Sequence, residues 1–389
     1  MRKGSAFLQP GRLSLSFISA KGEEHLKIRG DYPDTALSRF LFSQAGLMYL
    51  AAPTLHKTIS ANFAIASQFR FLMQAMYQWS KSPSPKIKAP NASPVFSLPP
   101  TSKQKVIIAY SGGKDSIGSL HWAWKKYGRR NVSVAHIDGL NKAVASKEWE
   151  YAKKQQKAFG LSNFRVIHLE NGAKGNGYEL LSAREIFLSA LIIPYAIEFG
   201  ASKVIIEGYD DAHPALPFSL QKKNICLFNH ALASLGIPVR TSWRYQRSNT
   251  SETDVMKELL EVRPEWVPFL NNCFIKAGLR KKLRKNWKRF APTFPLLPSQ
   301  CGSCMKCRLT NIARLIHDPA IKNGTFKKKI RIKDVQKVIS STADWIEVHA
   351  NPDEWATDLD WGCFEKAVNR AARMYASEDF QLRIGVYAQ

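Results

Sequence analysis

The chain predicts an α/β fold: a doubly wound parallel sheet with a small metal-binding lobe and an extra N-terminal α+β domain. Three features of the sequence lead there. From residue 105 onward, continuously apolar strands alternate with helical patterns, as expected for strands covered on both faces. The first of those strands runs into a double glycine and then a helix, in "VIIAYSGGKDSIGSL" (106–120). Farther on, three cysteines share two-residue spacing in "QCGSCMKCRLTNIARL" (300–315).

Taken in order, residues 11–30 alternate apolar and polar positions around Lys21-Gly22 and predict a hairpin. From Asp34 to about Trp79 the pattern turns helical, with Leu37, Phe40, Leu41, Ala45 and Leu47 on one face. These residues form an accessory domain, 1–80. Six prolines between Pro83 and Pro100 exclude helix and central strand, so 81–102 reads as a Pro/Ser/Lys-rich linker or extended arm. Beyond it, "KVIIAY", "NVSVAHID", "FRVIHLE", "KVIIEGY" and "VRTSW" read as strands. The helices between them are "DSIGSLHWAWKKYG", "ASKEWEYAKKQQKAFG", "AREIFLSALIIPYAIEFG" and "KNICLFNHALASLG". The core domain spans 103–260, the metal lobe with a basic insertion 261–320, and a helical extension 321–389.

With 389 residues, 45% hydrophobic and 23% charged, the composition is that of an ordinary folded protein. No apolar run is long enough to span a membrane, and Gln9, Pro10 and Arg12 interrupt any apolar leader. Six cysteines, three of them crowded together, favour metal in a reducing compartment, and a cytoplasmic protein is expected. The formal net charge of +26 attracts polyanions: nucleic acid, nucleotides or an acidic partner protein.

The glycine loop has the position that ligands take in such sheets, after a strand and before a helix. Gly112 and Gly113 let the backbone turn tightly and gather N–H groups, and the helix adds its partial positive end. An anion, most simply a pyrophosphate, is favoured there. Ser111 and Ser116 can donate hydroxyls, Lys114 adds charge, and Asp115 can fix the loop or help hold magnesium. The pattern matches neither G-x-x-x-x-G-K-[ST] nor G-x-G-x-x-G. Asp138 and Gly139, ending the second strand, can line an adenosine or form an ordinary turn. Cys301, Cys304 and Cys307 can converge on a tetrahedral Zn²⁺ or join an iron–sulfur cluster. Cys273 and Cys363 are both open as fourth ligand, while Cys226, among apolar residues, reads as core.

S-G-G-x-D-S after the first strand resembles the PP-loop ATP pyrophosphatases. Together with C-G-x-C-x-x-C-R-L it resembles the 7-cyano-7-deazaguanine synthases, the QueC-like family, over roughly residues 105–316. "SETDVMKELL" (251–260) is similar to the family's S-K-x-E-I segment, and "LLSAREIFL" (180–188) to its V-P-x-R-N-x-x-F loop at Arg184 and Phe187. "VIIEGYDDAHPALPF" (204–218) falls where the family has its substrate loop. The resemblance implies ATP, Mg²⁺ and Zn²⁺ as cofactors, with Cys273 the fourth zinc ligand. Ser111 to Ser116 would bind and polarise ATP, with Lys114 and Asp115 catalytic. Arg184 would hold a substrate carboxylate or phosphate. The implied activity converts 7-carboxy-7-deazaguanine to the nitrile with ammonia, through an acyl-adenylate.

This chain departs from the family in three ways. Its substrate loop continues "HPALPFSLQKK" without the family's carboxylates, leaving Asp210 and Asp211 as candidates to replace them. Ala183 and Glu185 replace the glycine and asparagine beside Arg184. "KAGLRKKLRKNWKRF" (276–290) is inserted before the cysteine triplet, with eight basic residues around Trp287 and Phe290. It reads either as a solvated amphipathic helix or as a nucleic-acid contact, and "FKKKIRIKD" (326–334) adds a second basic run. The partners expected are a deazapurine and ammonia; a protein or nucleic acid at the basic segments is the alternative, as in relatives that attach a deazaguanine to a protein in antiviral systems. No membrane partner is expected, and a homodimer is also considered. A third alternative is a PP-loop enzyme of sulfur transfer to tRNA or DNA.

Overall fold

The computed structural model describes residues 3–20, 22–51, 56–79, 81–140, 145–172, 183–206, 218–244, 252–271, 273, 275, 277–322, 330–349 and 361–375. The chain separates into two compact units. One comprises Met1–Ser111, Ser119–Ser146 and Gln156–Ser248; the other comprises Gly112–Gly118, Lys147–Gln155 and Asn249–Gln389. The chain is a mixed α/β protein, and no described helix is long and apolar enough to cross a membrane.

The first unit is built on one sheet of ten described strands. They are β1 (Lys3–Leu8), β2 (Ser14–Ser19), β3 (Gly22–Arg29), β4 (Thr58–Ala61) and, after the two-residue β5 (Ile65–Ala66), β6 (Lys86–Lys88). After β7 (Asn91–Ala92), which pairs only with β5, come β8 (Ser102–Ala109), β9 (Val132–Asp138), β10 (Phe164–Asn171), β11 (Ala201–Ile206) and β12 (Arg240–Trp243). The order across the sheet is β12-β11-β8-β9-β10-β3-β2-β1-β4-β6. Six of its nine pairings are parallel; β10–β3, β3–β2 and β2–β1 are antiparallel.

The apolar runs explain the parallel half. Val106, Ile107 and Ile108 of β8 are all buried, as strands covered on both faces require. From β8 the chain steps through β9 to β10 on one side, then returns through β11 to β12 on the other. The order therefore reverses at β8. The N-terminal strands alternate buried and open positions instead, with Leu15 and Phe17 of β2 and Leu26 of β3 facing the core. Their sheet is continuous with the parallel half, because Arg29 to Leu26 register against His168 to Asn171.

Helices α1 (Ala36–Ala51) and α2 (Ser67–Trp79) precede α3 (Lys114–Tyr127), α4 (Ala145–Phe159), α5 (Arg184–Phe199) and α6 (Lys222–Ser234). The helical pattern expected across 34–79 is interrupted: β-branched Thr58 and Ile59 extend as β4 beside β1. In the core, Phe187 of α5 stacks on Tyr49 of α1 with ring centroids 4.9 Å apart. The proline-rich stretch 81–102 lies along this same unit. Within it, β6 extends the sheet next to β4, and the Phe96 N–H donates to the Leu235 carbonyl.

The second unit is helical. Its own helices are α7 (Glu252–Val262), α8 (Ala277–Phe290), α9 (Met305–His317), α10 (Pro319–Lys322), α11 (Ile332–His349) and α12 (Trp361–Met374). Leu309, Ile312, Leu315 and Ile316 of α9 sit at helical spacing and form its core with Val335, Val338 and Ile339 of α11 and Val368 and Ala371 of α12. Arg314, buried on α9, ion-pairs with Asp318 at 3.2 Å and donates to the Pro295 carbonyl. A buried cation without such partners would be strongly destabilising.

Candidate functional site

The glycine loop closes on itself before it can close on anything else. Gly112 has φ +75, a backbone that side chains rarely adopt, and its N–H donates to Ser116 Oγ at 3.0 Å. The Ser116 hydroxyl donates in turn to the Gly113 carbonyl at 3.1 Å. Helix α3 begins at Lys114, so the loop and the first turn of the helix form one knot. Lys114 is buried, and its Nζ lies 2.9 and 2.8 Å from the two oxygens of Asp115.

The loop is anchored within the second unit by groups that sequence inspection did not single out. The carbonyl of Gly112 accepts from Gln155 Nε2 at 2.9 Å and from the Asn271 N–H at 3.1 Å. Gln155 is fully buried, and the same Nε2 donates to the Phe269 carbonyl at 2.7 Å. A Cβ on Gly112 would fall 2.5 Å from Gln155 Oε1. Gln155 lies in "KKQQKAF", a polar run that signals a solvated helix. Only its spacing from buried Tyr151 and Phe159, four residues to either side, points inward.

Two residues past Asn271 the chain reaches Cys273, and here the structure brings together the expected ligands. The sulfurs of Cys273, Cys301, Cys304 and Cys307 all lie within 4.8 Å of one another. Cys301 and Cys307 are 3.8 Å apart, and Cys304 and Cys273 4.0 Å. The group can hold a metal ion such as zinc: four sulfurs at the usual Zn–S length sit about 3.8 Å apart in a tetrahedron. Cys273 is thus the fourth member. Cys363 belongs to α12, and its side chain lies outside the described residues.

Backbone N–H groups of Ser303 and Cys304 point at Cys301 Sγ, at 3.4 and 3.3 Å, and that of Cys301 at Cys307 Sγ. Such donors stabilise ionised sulfur. Crowding among the thiols, contact with Cys273 first, pushes Cys304 and Cys307 well above the usual thiol range. A cation removes that conflict. Arg308 supplies further positive charge; burial holds its basicity down while Cys304 and Cys301 raise it. Gly302, at φ +89, leaves room for the Trp287 ring, which a Cβ would meet at 2.4 Å.

The remaining expected residues fall elsewhere. Ser111 and Asp138 belong to the first unit, where Asp138 Oδ2 lies 3.1 Å from His168 Nδ1. Arg184 opens α5 in that unit, its Nε 3.5 Å from Glu185 Oε1. Glu185 is buried and accepts the Ser219 hydroxyl at 2.5 Å. Asp210 and Asp211 lie outside the described residues, as does 326–329 of the second basic run. Neither a scan of protein-family models nor a search of curated proteins matches this chain.

Proposed function

We propose that this protein is an ATP-dependent adenylating enzyme resembling the 7-cyano-7-deazaguanine synthases. In this reading it activates a carboxylate, 7-carboxy-7-deazaguanine or a relative, releasing pyrophosphate and then AMP. One observation carries it: the sequence Ser-Gly-Gly-Lys-Asp-Ser leaves the carboxyl end of the strand at which the sheet order reverses, and opens a helix. In open α/β sheets that is where nucleotides bind. The doubly wound PP-loop architecture is the fold this reading adopts.

The reading assigns each residue a part of that chemistry. The carboxylate oxygen attacks the α-phosphorus of ATP and pyrophosphate departs; ammonia then displaces AMP to leave an amide. Activation of the amide oxygen by a second ATP, with loss of pyrophosphate and AMP, gives the nitrile. Ser111, Gly113 and the helix N-terminus receive the pyrophosphate, and Lys114, kept in position by Asp115, offsets charge in the transition state. Magnesium arriving with the nucleotide needs few protein ligands and would screen its phosphates; Asp115 is the carboxylate the loop offers it. Arg184 stands at the start of α5, where a cation opposes the helix dipole but a bound carboxylate or phosphate is attracted by both.

Zinc in the four-cysteine group stabilises this lobe, since four thiolates leave no open coordination position. The compactness of the group favours a single ion over an iron–sulfur cluster, which interposes several irons and spreads its cysteines. Outside this group the sequence has Cys226, exposed on α6, and Cys363, and metal analysis separates the sulfur-transfer alternative, which needs a redox or iron–sulfur cysteine pair. The test is pyrophosphate release from Mg-ATP with the carboxylate substrate. Asp115→Ala is expected to abolish it, and unchanged turnover would remove the loop from the mechanism.

A further inference from the structure

The strongest unassigned feature is the helix inserted ahead of the cysteine triplet. Helix α8 has two faces of opposite character. One anchors it within the second unit: Arg284 donates to the carbonyls of Leu297 at 2.7 Å and Gln300 at 2.7 Å, and Trp287 is buried against Phe294 and the Gly302 turn. The other carries Lys281, Lys282, Lys285, Lys288 and Arg289, all exposed. At about 100° per residue these five fall within one 120° arc, opposite Trp287. No acidic residue occurs in α8, and none of the five makes an ion pair among the described residues. Phe290, 38% exposed, ends the helix about 80° outside that arc, with Lys337 Nζ 5.9 Å from its ring centroid. Exposed Lys333 extends the charge onto α11.

We propose that this cationic face of α8 is a nucleic-acid-binding surface that follows a phosphodiester strand. The stripe is about 12 Å long, over which one strand of a duplex advances three to four phosphates. A membrane surface is disfavoured because Trp287 is buried and only Leu279 and Phe290 of the helix's large apolar residues are exposed, too little apolar surface to insert. A protein partner is disfavoured because protein interfaces deplete lysine and centre on apolar or aromatic anchors, whereas four of these five cations are lysines and no apolar residue stands among them. A row of exposed cations without acidic neighbours on the helix suits a phosphate backbone. The surface does not depend on the adenylation reading and is tested without ATP.

The experiment is fluorescence anisotropy of the full-length protein with a labelled mixed-sequence 20-nucleotide RNA over a range of salt. Lys281→Glu/Lys285→Glu/Lys288→Glu is compared with Lys153→Glu/Lys154→Glu/Lys157→Glu, which changes the net charge equally at exposed positions of α4. The α8 variant is expected to bind at least tenfold more weakly. Its log–log salt slope should be shallower by about two, since each single-strand phosphate contact contributes about 0.7. The α4 variant should bind nearly as the parent does. Three results would overturn the proposal: no binding by the parent, equal loss in both variants, or displacement by poly-glutamate as effective as by unlabelled RNA. The last would assign the face to an acidic protein. Metal content and thermal unfolding, measured in parallel, identify a variant that has lost its fold; Lys→Gln at the same three positions then replaces it.

Discussion

Gly112 concentrates the local demands of the loop in one residue. Its positive φ strains any other residue, and a Cβ there would have to displace the Gln155 amide 2.5 Å away. Gly112→Ala is therefore expected to cost about 1–3 kcal/mol from backbone strain alone, and more if Gln155 is displaced. Denaturant unfolding reads this directly, and a loss below a few tenths would mean that the loop relaxes freely. The glycines, Lys114 and Asp115 were legible in the sequence because each has a type-specific task at fixed spacing. Gln155 and Asn271 were not. A buried amide that clamps one carbonyl leaves no pattern in the chain beyond its place on a helical face.

At the scale of elements, the cysteine turn and the start of α9 make a metal site from short-range sequence, and Cys273 completes it from a distance. The spacing of Cys301, Cys304 and Cys307 announced the first three. The choice of Cys273 needed the fold, because sequence separation says nothing about which distant cysteine returns. Contact among the thiols holds Cys304 and Cys307 protonated at neutral pH in the metal-free protein. Metal binding must then release at least their two protons, and affinity must fall as the pH is lowered. Calorimetric titration with zinc in buffers of different ionisation enthalpy measures that number; release of less than one proton would contradict a four-thiolate site. The strands of the parallel half were readable as unbroken apolar runs. The interruption of the 34–79 helical pattern by β4 was not, because a four-residue strand is too short to show a period of its own and its pairing with β1 decided the matter.

For the molecule as a whole, the N-terminal strands share one sheet with the parallel strands. Residues 26–29 pair with β10, and α1 packs Tyr49 against α5, the helix that Arg184 opens. Hydrophobic patterning located those elements but not their partner, since an alternating strand pairs equally well with any compatible edge. The net charge of +26 is likewise a property of the whole chain until structure distributes it. In the second unit it gathers on the outer face of α8, which the salt dependence above isolates from the rest of the surface.

The central claim, adenylation at the Ser111–Ser116 loop, is tested most directly by mass spectrometry of the protein incubated with Mg-ATP, ammonium and 7-carboxy-7-deazaguanine. The account predicts pyrophosphate and AMP formed together with an adenylated, amidated or nitrile form of the base, all absent with Asp115→Ala. An unaltered base, with neither pyrophosphate nor AMP above the variant's background, would contradict it.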